Sequence, residues 1–422
     1  MTKTARKKNR RKARSRHEAR VLHLADLMRR NLYAFVIREG MKALDVMLEQ
    51  DREALCGPAH GKGEAADPVR WGHTEGRLVM GGQRVVVRKP RVRQGGKEVP
   101  LPTWEDFAND DPLDERTFEQ MVLGVSTRSY ERSLDELPDE LEPHGTSKSA
   151  ASRRFVAATK RQVDEWLRRD LSEVNLAVLM LDGLSIDDHT VIVALGIDED
   201  GRKHPLGLWL GATENSAVCG ALLDNLVKRG LDPQQPYLFV IDGSKALRKA
   251  IRVRFGKLGL VQRCQEHKRR NVLRHLPKKL QATTSRTMRE AYKSRSKATA
   301  KRRLLQLVAH LDDDYPDAAA SLREGLEETL TIKDLNLSAS LERTLSTTNP
   351  IENMNGTVRR VIRRVKRWRD GTMVKRWVAA GIFEAQRGFR KLRGHKSMPA
   401  LLTALRATAE QTDRIDDQEA AA

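Results

Sequence analysis

The chain has 422 residues, with 78 Lys and Arg against 57 Asp and Glu, so its formal net charge is +21. Hydrophobic residues make up 39% of it, enough for packed domains, which excludes general disorder. No run of eighteen apolar residues occurs, so no membrane-spanning helix is expected, and the basic N-terminus has no apolar stretch behind it, so no export signal is expected. Three cysteines cannot build a disulfide framework, which fits a reducing cytoplasm. A positive excess of this size exceeds what solubility needs and predicts a polyanionic partner, most simply nucleic acid.

Residues 1–20 hold ten Lys or Arg and one acid. They read as a basic arm that contacts DNA or, more blandly, as a solubilising tail. The region 21–104 opens with a helical segment that starts two residues before it and spans 19–50, with Val21, Leu22, Leu24, Leu27 and Met28 and then Ala34, Phe35 and Ile37 at helical spacing. A Gly- and Ala-rich loop over 51–75 follows, and then a β-ribbon turning at Gly81-Gly82 and ended by Pro90. Arg84, Arg88, Lys89, Arg91 and Arg93 line the ribbon, which fits both a phosphate-contacting surface and a solvated charged face. The sign reverses over 105–142, where thirteen acids face three bases. Across 105–172 three helices are predicted: Glu115–Leu123, Arg128–Leu137, and a third opened by Thr146 and Ser147 and running to about Leu171. Short helices with glycine at the turns fit a helix-turn-helix. Lys148, Arg153 and Arg154 then stand where a groove-entering helix carries its bases.

From residue 175 the texture becomes α/β. AVLMLDG (177–183), TVIVALGID (190–198) and PLGLWLG (205–211) are apolar runs joined by tight turns, hence an antiparallel meander. A helix over Asn215–Lys228, the strand YLFVID (237–242), a helix over Ser244–Phe255 and the strand LGLVQRC (258–264) complete a β-β-β-α-β-α-β order. Asp182 and Asp242 each end an apolar run and precede a glycine. Two carboxylates at the ends of neighbouring strands repel each other, and burying them costs several kcal/mol unless a cation lies between them. Hard oxygen ligands select Mg²⁺ or Mn²⁺. Taken singly, each acid also reads as a turn or helix cap. Trp209 on the third strand reads as a core residue, with base stacking as the alternative.

Further on, Asn349-Pro350 opens a helix by cap and fixed φ. Glu352 sits in its first turn, with Asn355 and Arg359 three and seven positions later on the same face. An acid there also favours a helix N-terminus without further purpose. Residues 359–396 hold fourteen Lys or Arg and two acids. The helix is expected to continue through VIRRVKRWRD, so that Arg359, Arg360 and Arg363 would grip a DNA backbone. The segment 406–422 reads as a tail.

The motifs LDG (181–183), VALGIDEDGRKHPLGLWLG (193–211), VIDGSKAL (240–247), VQRCQEHKRRNVLRHLPKK (261–279) and STTNPIENMNGTVRR (346–360) resemble, in order, those of the Mutator-type bacterial insertion-sequence transposases. These are DDE enzymes with a ribonuclease-H-like catalytic core. The resemblance covers residues 175–390. It implies a mixed-sheet core in two parts (175–264 and 346–405) interrupted by an all-helical insertion (265–345). It makes Glu352 the third metal-binding carboxylate beside Asp182 and Asp242, with Arg359 near the DNA backbone. Two Mg²⁺ ions would serve cleavage at double-stranded terminal repeats and joining to target DNA. A homodimer is implied, because two element ends must be brought together, and so is a cytoplasmic, nucleoid-associated location. Cys264 and His267 match a Cys-x-x-His pair of the family. Zinc needs further ligands, and neither His275 nor any second pair supplies them at a suitable spacing. The pair is therefore read as packing and hydrogen bonding where core and insertion meet. Asp187 and Asp188 compete with Asp182 as ligands on proximity alone. The rival readings are a catalytically inactive DNA-binding protein, a basic RNA- or ribosome-associated protein, and a related metal-dependent nuclease or resolvase.

Overall fold

The computed structural model describes residues 32, 34–58, 68–80, 83–109, 112–134, 137, 141 and 147–420. The basic arm (1–20), the apolar positions 21–28, the turn pair Gly81-Gly82 and the cap Thr146 lie outside the described residues. The chain divides into two compact units at Ala158/Thr159.

In the first unit, helix α1 (34–56) extends six residues into the segment expected to be a loop, and β1 (Val69–Met80) begins before that segment ends. Strands β1, β2 (Gln83–Gln94) and β3 (Lys97–Val99) form an antiparallel sheet in that order. Val85, Val87 and Val92 point inward with Leu44, Leu48 and Leu101, while Arg84 and Arg88 are exposed. Pro90 does not end β2, contrary to the sequence reading. It lies opposite His73, beside a register shift in β1, and pairing to β3 begins only at Val92, so no ladder bond requires its missing N–H.

Helices α2 (Pro102–Asn109) and α3 (Pro112–Leu123) follow. The expected helix over 128–137 is replaced, among the described residues, by a single 3₁₀ turn at Glu131–Ser133. Ser133 Oγ bonds Tyr130 O and Gln120 Oε1, and buried Tyr130 is tied to Thr117 Oγ1 at 2.7 Å. Hydroxyl-to-backbone bonding of this kind competes with helix extension, and Pro138 disfavours helix just ahead of it. Helix α4 (Lys148–Arg168) starts where Ser147 Oγ accepts from Ala150 N at 3.2 Å, and it stops three residues short of the expected end.

The second unit is built on a five-stranded mixed sheet: β4 (Leu176–Ile186), β5 (His189–Asp198), β6 (Lys203–Gly211), β7 (Tyr237–Ile241) and β8 (Gly259–Arg263), in the spatial order β6-β5-β4-β7-β8. β4, β5 and β6 are antiparallel neighbours, whereas β7 and β8 add in parallel through α5 (Ser216–Lys228) and α6 (Lys245–Phe255). Asn215 and Ser244 cap those helices with their side chains. The near-continuous apolar strands are explained by helices on both faces. α5 and α6 cover Leu179, Leu181, Phe239 and Ile241 on one face. On the other, α12 (Ala339–Leu345), α13 (Asn349–Ile362), α14 (Gly371–Arg387) and α15 (Met398–Ala420) cover Val178, Met180, Leu184 and Val240. Between β8 and α12 the chain is helical. α7 (Gln265–Arg274), α8 (Lys278–Tyr292), α9 (Lys297–Asp312) and α10 (Pro316–Arg323) share a core of their own, and the short α11 (Thr331–Asp334) leads back to the sheet.

Two expectations fail here. α13 ends at Ile362 instead of running through Asp370, because five bases crowd Arg363–Arg369 and Asp370 caps the next helix through Met373 N at 2.7 Å. Trp209 is 37% exposed on the outermost strand, so it is not a core residue.

Candidate active site

Asp182 does not end its strand. β4 continues to Ile186 in a hairpin with β5, and Asp182 lies opposite Val193. What ends at that level is the parallel neighbour: Leu181 pairs with Ile241, the last residue of β7, and Asp242 follows. The two acids are thus adjacent because one strand outruns the other. Asp187 and Asp188 occupy the hairpin tip, five and six positions further along, roughly 17 Å or more up the strand. That distance removes them as competitors.

Asp182 is 9% exposed, and its Oδ2 accepts a 2.7 Å hydrogen bond from Asn355 Nδ2, which is fully buried on α13. Burial, and next the charge of Asp242, push the Asp182 carboxyl up to about 6; Glu352 adds to the rise, while the Asn355 bond and His267 oppose it. Three carboxylates from three distant stretches therefore share one electrostatic neighbourhood. Asn355 Oδ1 is buried without a partner. Asp242 Oδ1 accepts from Ser244 N at 2.9 Å, which turns the chain into α6. Gly243 between them has φ +109°, and a Cβ there would stand 2.0 Å from Arg263 Nε. The Arg263 guanidinium thus roofs the Asp242 turn, and it reaches on to Glu324 O and Oε2 at 3.1 Å. Beside it Lys268 is fully buried, donating to Ser321 O at 2.5 Å and to Glu324 O. Burial, then Arg263, pull its ammonium down to about 8.

Glu352 sits in the first turn of α13, but the position before the helix is Thr348, and Asn349 is the first helical residue, exposed. Asn349 is therefore not the cap. The Thr348 hydroxyl donates to Glu352 Oε1 at 2.6 Å, and its backbone N–H donates to Cys264 Sγ at 3.4 Å. His267 Nδ1 lies 3.3 Å from Thr348 Oγ1 and 3.6 Å from Glu352 Oε1. A hydrogen bond to Cys264 raises the His267 pKa against the lowering by burial, with Glu352 and Asp242 adding to the rise. Burial raises the Cys264 thiol, but bonds from His267 and Thr348 outweigh it, and the net shift is downward. Cys264 is itself pinned, its N–H to Ile241 O at 2.8 Å, and Gln265 N–H to Ser346 O at 3.0 Å. Cys264 Sγ, a ring nitrogen of His267 and a Glu352 oxygen lie within 4.8 Å of one another, a group able to hold a metal ion.

Arg359, Arg360 and Arg363 are exposed along and just beyond α13. In the first unit, Lys148 and Arg153 are exposed and Arg154 is half-buried on α4. Sequence reasoning missed a cleft of about 500 Å³ that begins at Ser346 and Thr347 and is lined by Arg269, Arg289, Lys293, Arg295 and Arg343. It also missed Thr348, although a hydroxyl four positions before a glutamate at a helix start is a readable pairing.

Three acids that act on one another electrostatically on an α/β sheet, beside an arginine-lined cleft, are the features of an enzyme acting on nucleic-acid strands. The chain belongs to the Mutator family of transposases, whose family model matches residues 8–391. It is 29% identical over 360 residues to the transposase for insertion sequence element IS256 in transposon Tn4001 of Staphylococcus aureus, covering 80% of this chain and 86% of that protein. The transposase for insertion sequence element ISRM5 of Rhizobium meliloti is 29% identical over 342 residues, covering 77% and 80%. That for IS905 of Lactococcus lactis is 28% identical over 279 residues, covering 64% and 68%. No helix among the described residues is long and apolar enough to cross a membrane.

Proposed function

We propose that this chain is the DNA transposase of an insertion sequence, with a ribonuclease-H-like catalytic core in which Asp182, Asp242 and Glu352 hold Mg²⁺ or Mn²⁺. The observation that carries the reading is the pairing of Asn355 with Asp182, which brings the helix of Glu352 onto the strand of Asp182 beside Asp242. The donor set fits a hard divalent cation: all oxygen, mutually repelling, and with one carboxyl already driven up by burial and then by the charge of Asp242. When bound, the metal supplies activation of a water or 3′-hydroxyl and charge stabilisation at the scissile phosphate. The chain's own residues do the rest. Asn355 fixes the Asp182 carboxylate, leaving Oδ1 directed elsewhere. Thr348 and His267 hold one oxygen of Glu352. Arg263 sets the Asp242 turn. Arg359, Arg360, Arg363 and the arginines of the cleft carry the backbone of the strand being cut. Residues 1–20, the ribbon within 21–104 and the helices of 105–172, with Lys148, Arg153 and Arg154, are assigned to recognition of double-stranded terminal repeats. Residues 175–264 and 346–405 form the catalytic domain, 265–345 the insertion, and 406–422 a tail. The acting species is a homodimer at the nucleoid.

The test is incubation of the purified chain with labelled element-end DNA and Mg²⁺. Nicked and joined products are expected, reduced by at least about 10³-fold in Asp182→Asn, Asp242→Asn and Glu352→Gln with DNA binding retained. Cleavage that survives these substitutions overturns the assignment. Binding without cleavage by the intact chain supports the inactive DNA-binding reading instead.

A further inference from the structure

We propose that Cys264, His267 and Glu352 form a second cation site, selective for a borderline metal of the Zn²⁺ type, and that filling it withdraws Glu352 from the carboxylate set and stops DNA cleavage. The donors are one sulfur, one ring nitrogen and one carboxylate oxygen, all within 4.8 Å of one another. In a tetrahedral zinc site such atoms stand roughly 3.3–3.7 Å apart, so closure asks for about 1 Å of side-chain movement. The ligand chemistry separates the site from its neighbour. Thiolate and imidazole suit Zn²⁺ and exclude Mg²⁺, whereas three carboxylates suit Mg²⁺.

The supports that a zinc site needs around its ligands are already built. Thr348 N–H points at the sulfur and the Thr348 hydroxyl at Glu352 Oε1, so one residue orients two ligands. His267 presents Nδ1 to both Thr348 and Glu352. Cys264 and His267 are three apart at the start of α7, and backbone bonds from Cys264 to Ile241 and from Gln265 to Ser346 tie that start to β7 and to the approach of α13. His267 and Glu352 side chains are each 26% exposed, which gives the cation an entry, while the sulfur is at the closed end. Three protein ligands leave the fourth vertex to water. Binding releases the thiol proton to solvent. The inhibition rests on the proposed role of Glu352; the binding does not.

The experiment uses the full chain, metal-free, titrated with Co²⁺ and then Zn²⁺. One Co²⁺ per chain is expected, with a near-ultraviolet thiolate-to-cobalt charge-transfer band that Zn²⁺ abolishes. Cys264→Ser loses the band, His267→Ala weakens binding by at least tenfold, and Cys56→Ser leaves both unchanged. Absence of the band in the wild-type chain, or its survival in Cys264→Ser, overturns the site, and the wild-type measurement does so whatever the variants' folding. Asp182→Asn is expected to keep the band while losing cleavage. Zn²⁺ at one equivalent is expected to suppress Mg²⁺-dependent cleavage more than tenfold. A full band with cleavage untouched overturns the inhibition, whereas the place of Glu352 among the catalytic acids stands or falls with cleavage by Glu352→Gln.

Discussion

The two faces of the five-stranded sheet are both covered by helices yet do different work. Facing α5 and α6, residues of odd number on β4 and β7 (Leu179, Leu181, Phe239, Ile241) meet an unbroken apolar layer. Facing α13 and α14, the even-numbered residues begin the same way with Val178, Met180, Leu238 and Val240, and then the register delivers Asp182, and Asp242 just past the end of β7. The helix on that side answers with Asn355 in the row of Ile351, Met354 and Val358. One polar substitution in an apolar row, met by one acid in an apolar strand, turns a packing face into a site. The first face then supplies rigidity and the second spends it on holding a repelling set of carboxylates.

The largest effect expected from this division is on the purely apolar face. Phe239 is fully buried and packs its ring 4.9 Å from that of Phe255. Phe239→Ala should cost ~3–5 kcal/mol through the cavity it leaves, measured by urea unfolding, while cleavage per folded molecule stays within about twofold. A collapse of activity at preserved stability would break the division of labour.

On the other face the sign reverses. Asp182 titrates near 6 when folded, about 2 pH units above the unfolded carboxyl. The folded state therefore binds more protons than the unfolded one between those values. Metal-free protein loses stability as pH rises from about 4 to about 6, by up to ~3 kcal/mol, and does not regain it above. Asp182→Asn should recover most of that at pH 7 in EDTA, seen as a higher Tm, and on the proposed metal assignment Mg²⁺ should raise the Tm of the wild type but not of the variant. Equal Tm values in EDTA would mean that the acid is not under strain. Smaller again is Asn355→Leu, which keeps the branched shape in a somewhat larger side chain and deletes the bond to Asp182. Cleavage should fall about 10–100-fold, with a raised Mg²⁺ requirement and an unchanged fold by circular dichroism.

Much of this was legible in the chain, for reasons that also explain what was not. Local signals carry local structure: the apolar runs of β4 to β8 and the capping residues Asn215 and Ser244 located the sheet and its helices to within a few residues. Asp182 was misread as a strand end because Gly183 looks like a terminator, whereas β4 is prolonged by pairing with β5, a contact that no window around residue 182 contains. Pro90 was misread for the same reason: whether a proline stops a strand depends on which partner carbonyl stands opposite. Cys264 and His267 lacked further zinc ligands in sequence, and the third donor sits 85 positions beyond His267 on another helix. Buried charges such as Lys268 look like ordinary surface residues until the carbonyls of Ser321 and Glu324 close on them.

The smallest expected effect is the sharpest test of which face matters. Gly183 follows Asp182 and therefore points the opposite way, toward α5, where a Cβ would come within 2.7 Å of Glu214 Oε2. Glu214 is exposed, so its carboxylate can swing into solvent at little cost, and an alanine in a strand loses less entropy on folding than a glycine. Gly183→Ala should leave stability within about 1 kcal/mol of wild type and cleavage within about twofold. Gly243→Ala beside Asp242 offers the contrast: its positive φ and the Arg263 guanidinium at 2.0 Å leave no room, so the Asp242 turn must shift and activity must fall with it. If instead Gly183→Ala abolishes cleavage in a stable protein, the Glu214 carboxylate lies close enough to take part, and the chemistry extends through the central strand to both faces.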